Sequence, residues 1–183
     1  MHKSATSTIP YTEPRGAARV ARLSYRFRPN MALSPGDTAP DISLIGSDLL
    51  PFSLESTRVT GPVVLLFFPG AFTSVCTTEL NTVSHDIVRY GDATIVGIST
   101  DLPFALAEFK RVHNFPFRLL SDHEGTAVEA YGALNEHIPG RVARRAAFVV
   151  APDGSLAYAE VLESDRDQPD FDAIVDALRG VSA

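Results

Sequence analysis

Residues 61–76 read GPVVLLFFPGAFTSVC, and this stretch decides the fold class. The apolar run Val63–Phe68 lies between two Gly/Pro pairs, as is typical of a strand buried on both faces of a sheet. A stripe with helical spacing follows it, formed by Leu80, Val83, Ile87 and Tyr90 and closed by Gly91. The stretch therefore predicts a central strand, a loop and a helix in succession.

Further strands and helices alternate on either side of this unit. The remaining predicted strands are the two edge strands Ile42–Ile45 and Phe52–Leu54, the buried strand Ala93–Ile98, the strand Arg118–Leu120, and the hairpin Ala146–Ala151 with Ser155–Val161. The remaining predicted helices begin near Pro103, with Leu102, Leu106, Phe109 and Val112 on one face, near Thr126, and after the cap Asp170, the last one closed by Gly180. This order predicts an α/β fold, a three-layer α/β/α sandwich with a central mixed sheet.

The length of 183 residues suits one domain with an appendage. Residues 1–30 have no periodic apolar pattern and carry six Lys or Arg against one Glu, a net charge of +5. We predict a basic, disordered extension over 1–30 and the folded domain over 31–183. The extension fits either an Arg-rich transit peptide or an upstream stretch before a true start at Met31, and we favour the second interpretation.

Charge argues against nucleic acid as a ligand, and hydropathy argues against a membrane-spanning segment. Residues 31–183 carry ten basic and twenty-one acidic residues, a net charge of −11, which argues against nucleic acid as the main ligand of the folded domain. The six-residue run Val63–Phe68 falls far short of the roughly 18 apolar residues that cross a bilayer. The scarcity of lysine, with Lys3 and Lys110 alone, fits either adaptation to high salt or a bias in base usage.

Cys76 is the single cysteine of the chain, so no intrachain disulfide and no multi-thiolate zinc site can form. It lies between a buried strand and a helix, where open α/β sheets place active sites. If Thr73 is the N-cap, its hydroxyl accepts the amide of Cys76, and the positive end of the helix favours the thiolate. The alternative is an inert, buried cysteine that begins the apolar stripe of the helix.

Pro69, Thr73 and Cys76 form a PxxxTxxC motif, and here the chain resembles the peroxiredoxins, thiol peroxidases with a thioredoxin-like fold. The resemblance extends from Met31 to the C-terminus through APDISL, the segment around Cys76, LLSD at 119–122 and RAAFVV at 145–150. It implies that the chain reduces hydrogen peroxide and organic hydroperoxides, with Cys76 becoming a sulfenic acid.

The resemblance also implies the roles of the other site residues. Thr73 would supply a hydroxyl, Pro69 would shield the thiolate, and Glu79 would act indirectly on neighbouring groups. An arginine would stabilise the departing oxygen, and the candidates are Arg141, Arg144 and Arg145. Neighbouring strand residues point in opposite directions, and the family places its arginine three residues before the strand aromatic, here Phe148. This selects Arg145.

The chain lacks both the CxxC pair of thioredoxins and a second, resolving cysteine. It therefore resembles the one-cysteine peroxiredoxins, most closely the alkyl hydroperoxide reductase E-like subgroup through AYGALNE at 130–136. Its sulfenic acid needs an external thiol reductant: a thioredoxin-like protein, a mycoredoxin-like protein or a small thiol. A non-turnover peroxide sensor or redox-switched holdase using the same Cys76 is the alternative function.

No cofactor or metal site is predicted, since the histidines have no metal-site spacing and no phosphate-binding glycine loop occurs. His85, His113, His123 and His137 also match no signature of a Cys-His hydrolase. His85 is predicted on the solvent side of the first long helix. The resemblance implies a homodimer packed near the active-site loops, and the cytoplasm is the expected compartment.

Overall fold

The computed structural model describes residues 32–181, so the predicted extension over 1–30 lies outside the described residues. The strands are β1 Ser43–Gly46, β2 Pro51–Ser53, β3 Val63–Phe67, β4 Thr94–Ser99, β5 Arg118–Ser121, β6 Ala146–Val150 and β7 Leu156–Val161. The helices are α1 Leu54–Arg58, α2 Ser74–His85, α3 Pro103–His113, α4 Thr126–Ala130 and α5 Phe171–Val181, with a 3-10 helix at Ile87–Tyr90.

The strands form one mixed sheet in the order β2-β1-β5-β4-β3-β6-β7. Strands β3, β4 and β5 run parallel, and the other neighbours are antiparallel. The predicted mixed sheet and its central strand are confirmed. The prediction that both N-terminal strands lie at an edge is wrong for β1, because β1 pairs with β2 on one side and with β5 on the other.

Side chains of β3 alternate between two apolar cores, which makes the fold three-layered. Val63, Leu65 and Phe67 pack with residues of α1 and α4 on one face. Val64 and Leu66, with Phe68 just after the strand, pack with residues of α2, α3 and α5 on the other face. Since burial of each such side chain contributes about 1.5–3 kcal/mol, β3 is a rigid base for the loop that follows it.

The first long helix is shorter than its apolar stripe predicts. Helix α2 ends at His85, and the stripe continues through the 3-10 helix Ile87–Tyr90. The backbone of Asp86 leaves the α-helical region at φ −94° and ψ 16°, which breaks the helix while Tyr90 stays buried. Gly91, with φ 58°, ends the 3-10 helix. His85 is exposed, as predicted.

Two further helix predictions need correction. In α3, Leu106 and Phe109 are buried, whereas Leu102 and Val112 are 58% and 52% exposed. Leu102 precedes the helix with an extended backbone, so it leaves the buried face. Helix α5 continues through Gly180 to Val181, because this glycine keeps the helical conformation.

Asp170 caps α5 as predicted, its carboxylate accepting the amide of Ala173 at 2.9 Å. Within residues 32–181, none of the helices is both long and apolar enough to cross a membrane.

Candidate active site

Cys76 lies in the first turn of α2, three residues after the N-cap Thr73. The first helical hydrogen bond runs from the amide of Thr77 to the carbonyl of Thr73, at 2.9 Å. The amides of Ser74, Val75 and Cys76 precede this bond, so the sulfur lies beside the positive end of the helix. The side chain is buried, with 1% of its surface exposed.

Thr73 is the N-cap of α2, but its hydroxyl does not cap the helix, and this part of the prediction is wrong. The hydroxyl donates to the carbonyl of Gly70 at 3.1 Å instead of accepting the amide of Cys76. The reason is the tight loop before the helix, where Phe72 has a left-handed backbone with φ 62° and the chain turns back on Gly70. Thr73 is exposed, and Pro69 is half-buried where the chain leaves β3.

Arg145 is the guanidinium that the fold brings to Cys76. Its Nη2 donates to the sulfur at 3.6 Å and to the carbonyl of Asp165 at 3.1 Å. Its Nη1 forms an ion pair with the carboxylate of Glu79, one turn after Cys76 in α2. Arg145 and Glu79 are 1% and 0% exposed, so the pair is sequestered from water.

Strand alternation explains why Arg145, and neither of its neighbours, reaches the sulfur. Ala147 and Val149 of β6 face the core that contains Cys76, and Arg145 continues this side of the strand. Arg144 points the other way and bonds the carbonyl of Leu162 and the carboxylate of Glu163. Arg141, an exposed side chain, bonds Glu129 and the carbonyl of Glu124.

Burial of Glu79 raises the pKa of its carboxyl to about 7, and the Arg145 guanidinium opposes this shift. Burial also acts to lower the pKa of Arg145, but the charges of Glu79 and Cys76 outweigh it, so the net shift is upward and the guanidinium stays charged. Glu79 Oε1 and Arg145 Nε have no hydrogen-bond partner within residues 32–181. A buried cation therefore lies beside the sulfur, and its Nε–H is unpaired among the described residues.

Two side chains that the sequence analysis missed hold this site together. Asp101, just after β4, accepts the amide of Ala71 in the loop before α2, at 2.7 Å. Gln168 donates from Nε2 to the carbonyl of Val75 at 3.2 Å. The end of β4 lies beside the end of β3 in the parallel sheet, so position gave a signal for Asp101. Gln168 lies in an irregular segment far along the chain, where no local pattern points to the site.

The arrangement can activate a sulfur nucleophile and stabilise a departing oxygen. The Cys76 sulfur lies between the Arg145 guanidinium and the first-turn amides of α2, which places positive charge beside a soft nucleophile. A preorganised guanidinium in a water-excluded site stabilises negative charge that develops on a reacting oxygen. Within residues 32–181, no group of three or more His, Cys, Asp or Glu side chains could hold a metal ion.

Comparisons with known proteins agree with this chemistry. Residues 35–159 match the AhpC/TSA family. A thiol peroxidase of Listeria innocua is 31% identical over 147 residues, 79% of this chain and 87% of that protein. Alkyl hydroperoxide reductase E of Mycobacterium tuberculosis is 33% identical over 133 residues, 70% of this chain and 86% of that protein.

Solved structures are similar as well. The crystal structure of peroxidoxin BcpB from Mycobacterium tuberculosis matches with a TM-score of 0.73 and 30% identity, over 82% of this chain and 99% of that chain. The predicted thioredoxin-like fold is thereby confirmed, as is the resemblance drawn from the PxxxTxxC motif. The chain belongs to the AhpC/TSA family and is a peroxiredoxin, an oxidoreductase that reduces peroxides at the expense of a thiol.

Proposed function

We propose that Cys76 is the peroxidatic cysteine and reduces hydrogen peroxide and organic hydroperoxides through a sulfenic acid. The observation that carries this proposal is the 3.6 Å contact between Arg145 Nη2 and the sulfur at the start of α2. Cys76 is the one cysteine in the sequence, so no other thiol can perform the reaction.

In the proposed step, the Cys76 thiolate attacks the terminal oxygen of the hydroperoxide. A sulfur–oxygen bond forms as the O–O bond breaks, and the sulfur is oxidised by two electrons to a sulfenic acid. The departing oxygen leaves as hydroxide or alkoxide and takes up a proton, giving water or an alcohol. Negative charge on this oxygen is what Arg145 and the first-turn amides of α2 stabilise.

The other site residues have distinct proposed roles. The Thr73 hydroxyl donates to Gly70, and its oxygen keeps lone pairs that can accept the O–H of the hydroperoxide. Glu79 holds Nη1 of Arg145, so that Nη2 stays directed at the sulfur. Pro69, half-buried at the start of the loop, would shield the thiolate from water.

The sulfenic acid is proposed to be recycled by an external thiol, because no second cysteine exists. A first thiol displaces water and forms a mixed disulfide with Cys76, and a second thiol releases the cysteine as an oxidised disulfide leaves. A panel of thioredoxin-like proteins, mycoredoxin-like proteins and small thiols, assayed under constant peroxide, identifies the reductant.

The oxidation step is tested by adding one equivalent of peroxide and measuring the intact mass. We expect one added oxygen, captured by dimedone, in the wild type and none in Cys76→Ser. An unreactive wild type, or unchanged reactivity in the variant, would overturn the proposal. Arrest after a single oxidation with every reductant of the panel would instead indicate the peroxide sensor or holdase.

We further propose that the chain is a homodimer that packs near the active-site loop. Large apolar side chains flank the contact between Ala71 and Asp101: Phe72 is 54% exposed, and Phe104 is 69% exposed. Burial of such side chains against a second copy would stabilise a dimer. We expect Phe104→Glu to shift the mass in solution from dimer to monomer by light scattering, and a monomeric wild type would contradict this. The cytoplasm is the proposed compartment, which cell fractionation tests.

A further inference from the structure

Asp101 joins the loop that precedes α2 to the rigid end of the sheet. Its Oδ2 accepts two hydrogen bonds, one from the amide of Ala71 and one from the hydroxyl of Ser99, each at 2.7 Å. Its own amide donates back to the Ser99 oxygen at 2.9 Å. Ser99 is the last residue of β4 and is fully buried, so the carboxylate is held in one orientation.

Strand β5 fixes the main chain of Asp101. Its carbonyl accepts the hydroxyl of Ser121 at 2.6 Å, and Ser121 is the last residue of β5. The amide of Asp122 donates to the carbonyl of Ser99 at 2.8 Å. The ends of β4 and β5 thus fix the main chain of Asp101, and its carboxylate is directed at the loop that follows β3.

The loop that Asp101 holds carries backbone strain. Phe72, the residue after Ala71, has φ 62°, a left-handed conformation that a bulky residue adopts only when its surroundings impose it. The Phe72 ring packs against Phe109, with ring centroids 5.0 Å apart. On the other side, Thr73 bonds back to Gly70. The bond from the Ala71 amide to Asp101 ties this turn to the ends of β4 and β5.

We propose that Asp101 is a positioning residue of the peroxidase reaction. By holding the amide of Ala71, it fixes the Phe72 turn, and the turn places the Thr73 hydroxyl and the first-turn amides of α2 around Cys76. Asp101 does not touch the sulfur, so it acts on the geometry that the hydroperoxide meets and leaves the nucleophilicity of the thiol to Arg145. This inference rests on the proposed role of Cys76.

The test compares two reactions of the same sulfur in full-length protein. Reaction with hydrogen peroxide depends on the aligned donors, whereas alkylation by iodoacetamide depends on access to the sulfur, which is 1% exposed in the folded protein, and does not use those donors. We expect Asp101→Ala to slow the peroxide reaction by about 10- to 100-fold, as displacement of aligned groups by about 1 Å does. We expect alkylation to be no slower than in the wild type, because Asp101 does not touch the sulfur and a loosened loop can only expose it further.

Two gentler variants keep the test decisive if Asp101→Ala does not fold. Asp101→Asn keeps an oxygen that can accept the Ala71 amide but loses the charge, so we expect most of the peroxide rate to remain. Ser99→Ala removes the hydroxyl that orients the carboxylate, so we expect a peroxide-selective loss smaller than that of Asp101→Ala. Asp41→Ala is the matched control, since Asp41 accepts the amide of Glu55 at 3.1 Å beside α1, on the other face of the sheet.

The outcomes separate this inference from the proposed function. A wild type that does not react with peroxide overturns the role of Cys76 itself. A reactive wild type with an equally reactive, folded Asp101→Ala overturns the role of Asp101 alone. Equal slowing of peroxide reaction and alkylation in the Asp101 or Ser99 variants also overturns it, because a general loss of structure would act on both.

Discussion

Arg145 and Cys76 meet at 3.6 Å, between Nη2 and Sγ, although 69 residues separate them in the chain. Antiparallel pairing of β6 with β3 makes this contact, because it places the start of β6 beside the end of β3, from which the Cys76 loop departs. The chemistry of the site therefore depends on sheet register as much as on the local motif.

We expect Arg145→Ala to slow oxidation of Cys76 by about 10²–10³-fold, the usual cost of removing one donor that stabilises developing negative charge. Stopped-flow measurement of the peroxide reaction checks this. Arg144→Ala is the matched control: Arg144 faces away and bonds Leu162 and Glu163, so the rate should stay close to that of the wild type. Equal effects of the two variants would show that the wrong arginine has been assigned.

Thr73 should matter for peroxide and little for stability. Its hydroxyl makes no cap hydrogen bond, so Thr73→Val should lower the free energy of unfolding by less than the ~1 kcal/mol that loss of an N-cap typically costs. The variant should slow the peroxide reaction by about 10-fold or more, since a positioned hydroxyl is lost, and Thr73→Ser should retain most of the rate. Urea unfolding and peroxide kinetics check the two parts. A large loss of stability would mean that the hydroxyl caps the helix in solution.

Glu79 should make stability depend on pH in an identifiable range. Its pKa rises from 4.5 to about 7 on folding, so the folded state binds the proton more tightly than the unfolded state. The contribution of Glu79 to stability is then fully present below pH 4.5 and is lost as pH rises through about 7.

Glu79→Gln cannot titrate, and it provides the control for this effect. Guanidinium unfolding at a series of pH values from 4 to 8 should show that the free energy of unfolding of the wild type, relative to the variant, falls with rising pH. A constant difference across this range would show that Glu79 does not titrate there.

Gln168 should contribute to stability through the carbonyl that it bonds. Gln168→Leu keeps much of the side-chain shape but cannot donate to Val75, so we expect the free energy of unfolding to fall by about 1 kcal/mol. Arg166→Leu, an exposed position in the same segment, should leave it unchanged. Urea unfolding of the two variants distinguishes the lost hydrogen bond from a general effect of the segment.

Much of the fold and the main contact of the site could be predicted because their signals are local. The run Val63–Phe68 predicts a strand buried on both faces of the sheet. The alternating side-chain directions along β6 distinguish Arg145 from Arg144. The positions that failed depend on tertiary packing. The apolar stripe of α2 continues unbroken past Asp86, so a break in the helix leaves no trace in the spacing, and Leu102 has the apolar character of a core residue yet lies exposed.

The site details that could not be predicted from the sequence depend on backbone conformation and on hydrogen bonds to main-chain groups. The Thr73 hydroxyl turns to Gly70 because Phe72 adopts a left-handed backbone, and phenylalanine carries no sequence signal for that conformation. Asp101 and Gln168 act on the site through main-chain groups of Ala71 and Val75, whose identity says nothing about such partners. A motif thus points to the candidate side chains of a site, whereas the partners of their main chain come only with the tertiary structure.

The 69-residue separation of Cys76 and Arg145 has a consequence for folding during synthesis. During synthesis the thiol emerges well before its guanidinium, and long-range strand pairing is among the slower events of folding. Until β6 docks beside β3, the Arg145 guanidinium cannot contact the Cys76 sulfur. Under the proposed role of Cys76, full reactivity toward peroxide therefore requires that β6 has paired with β3.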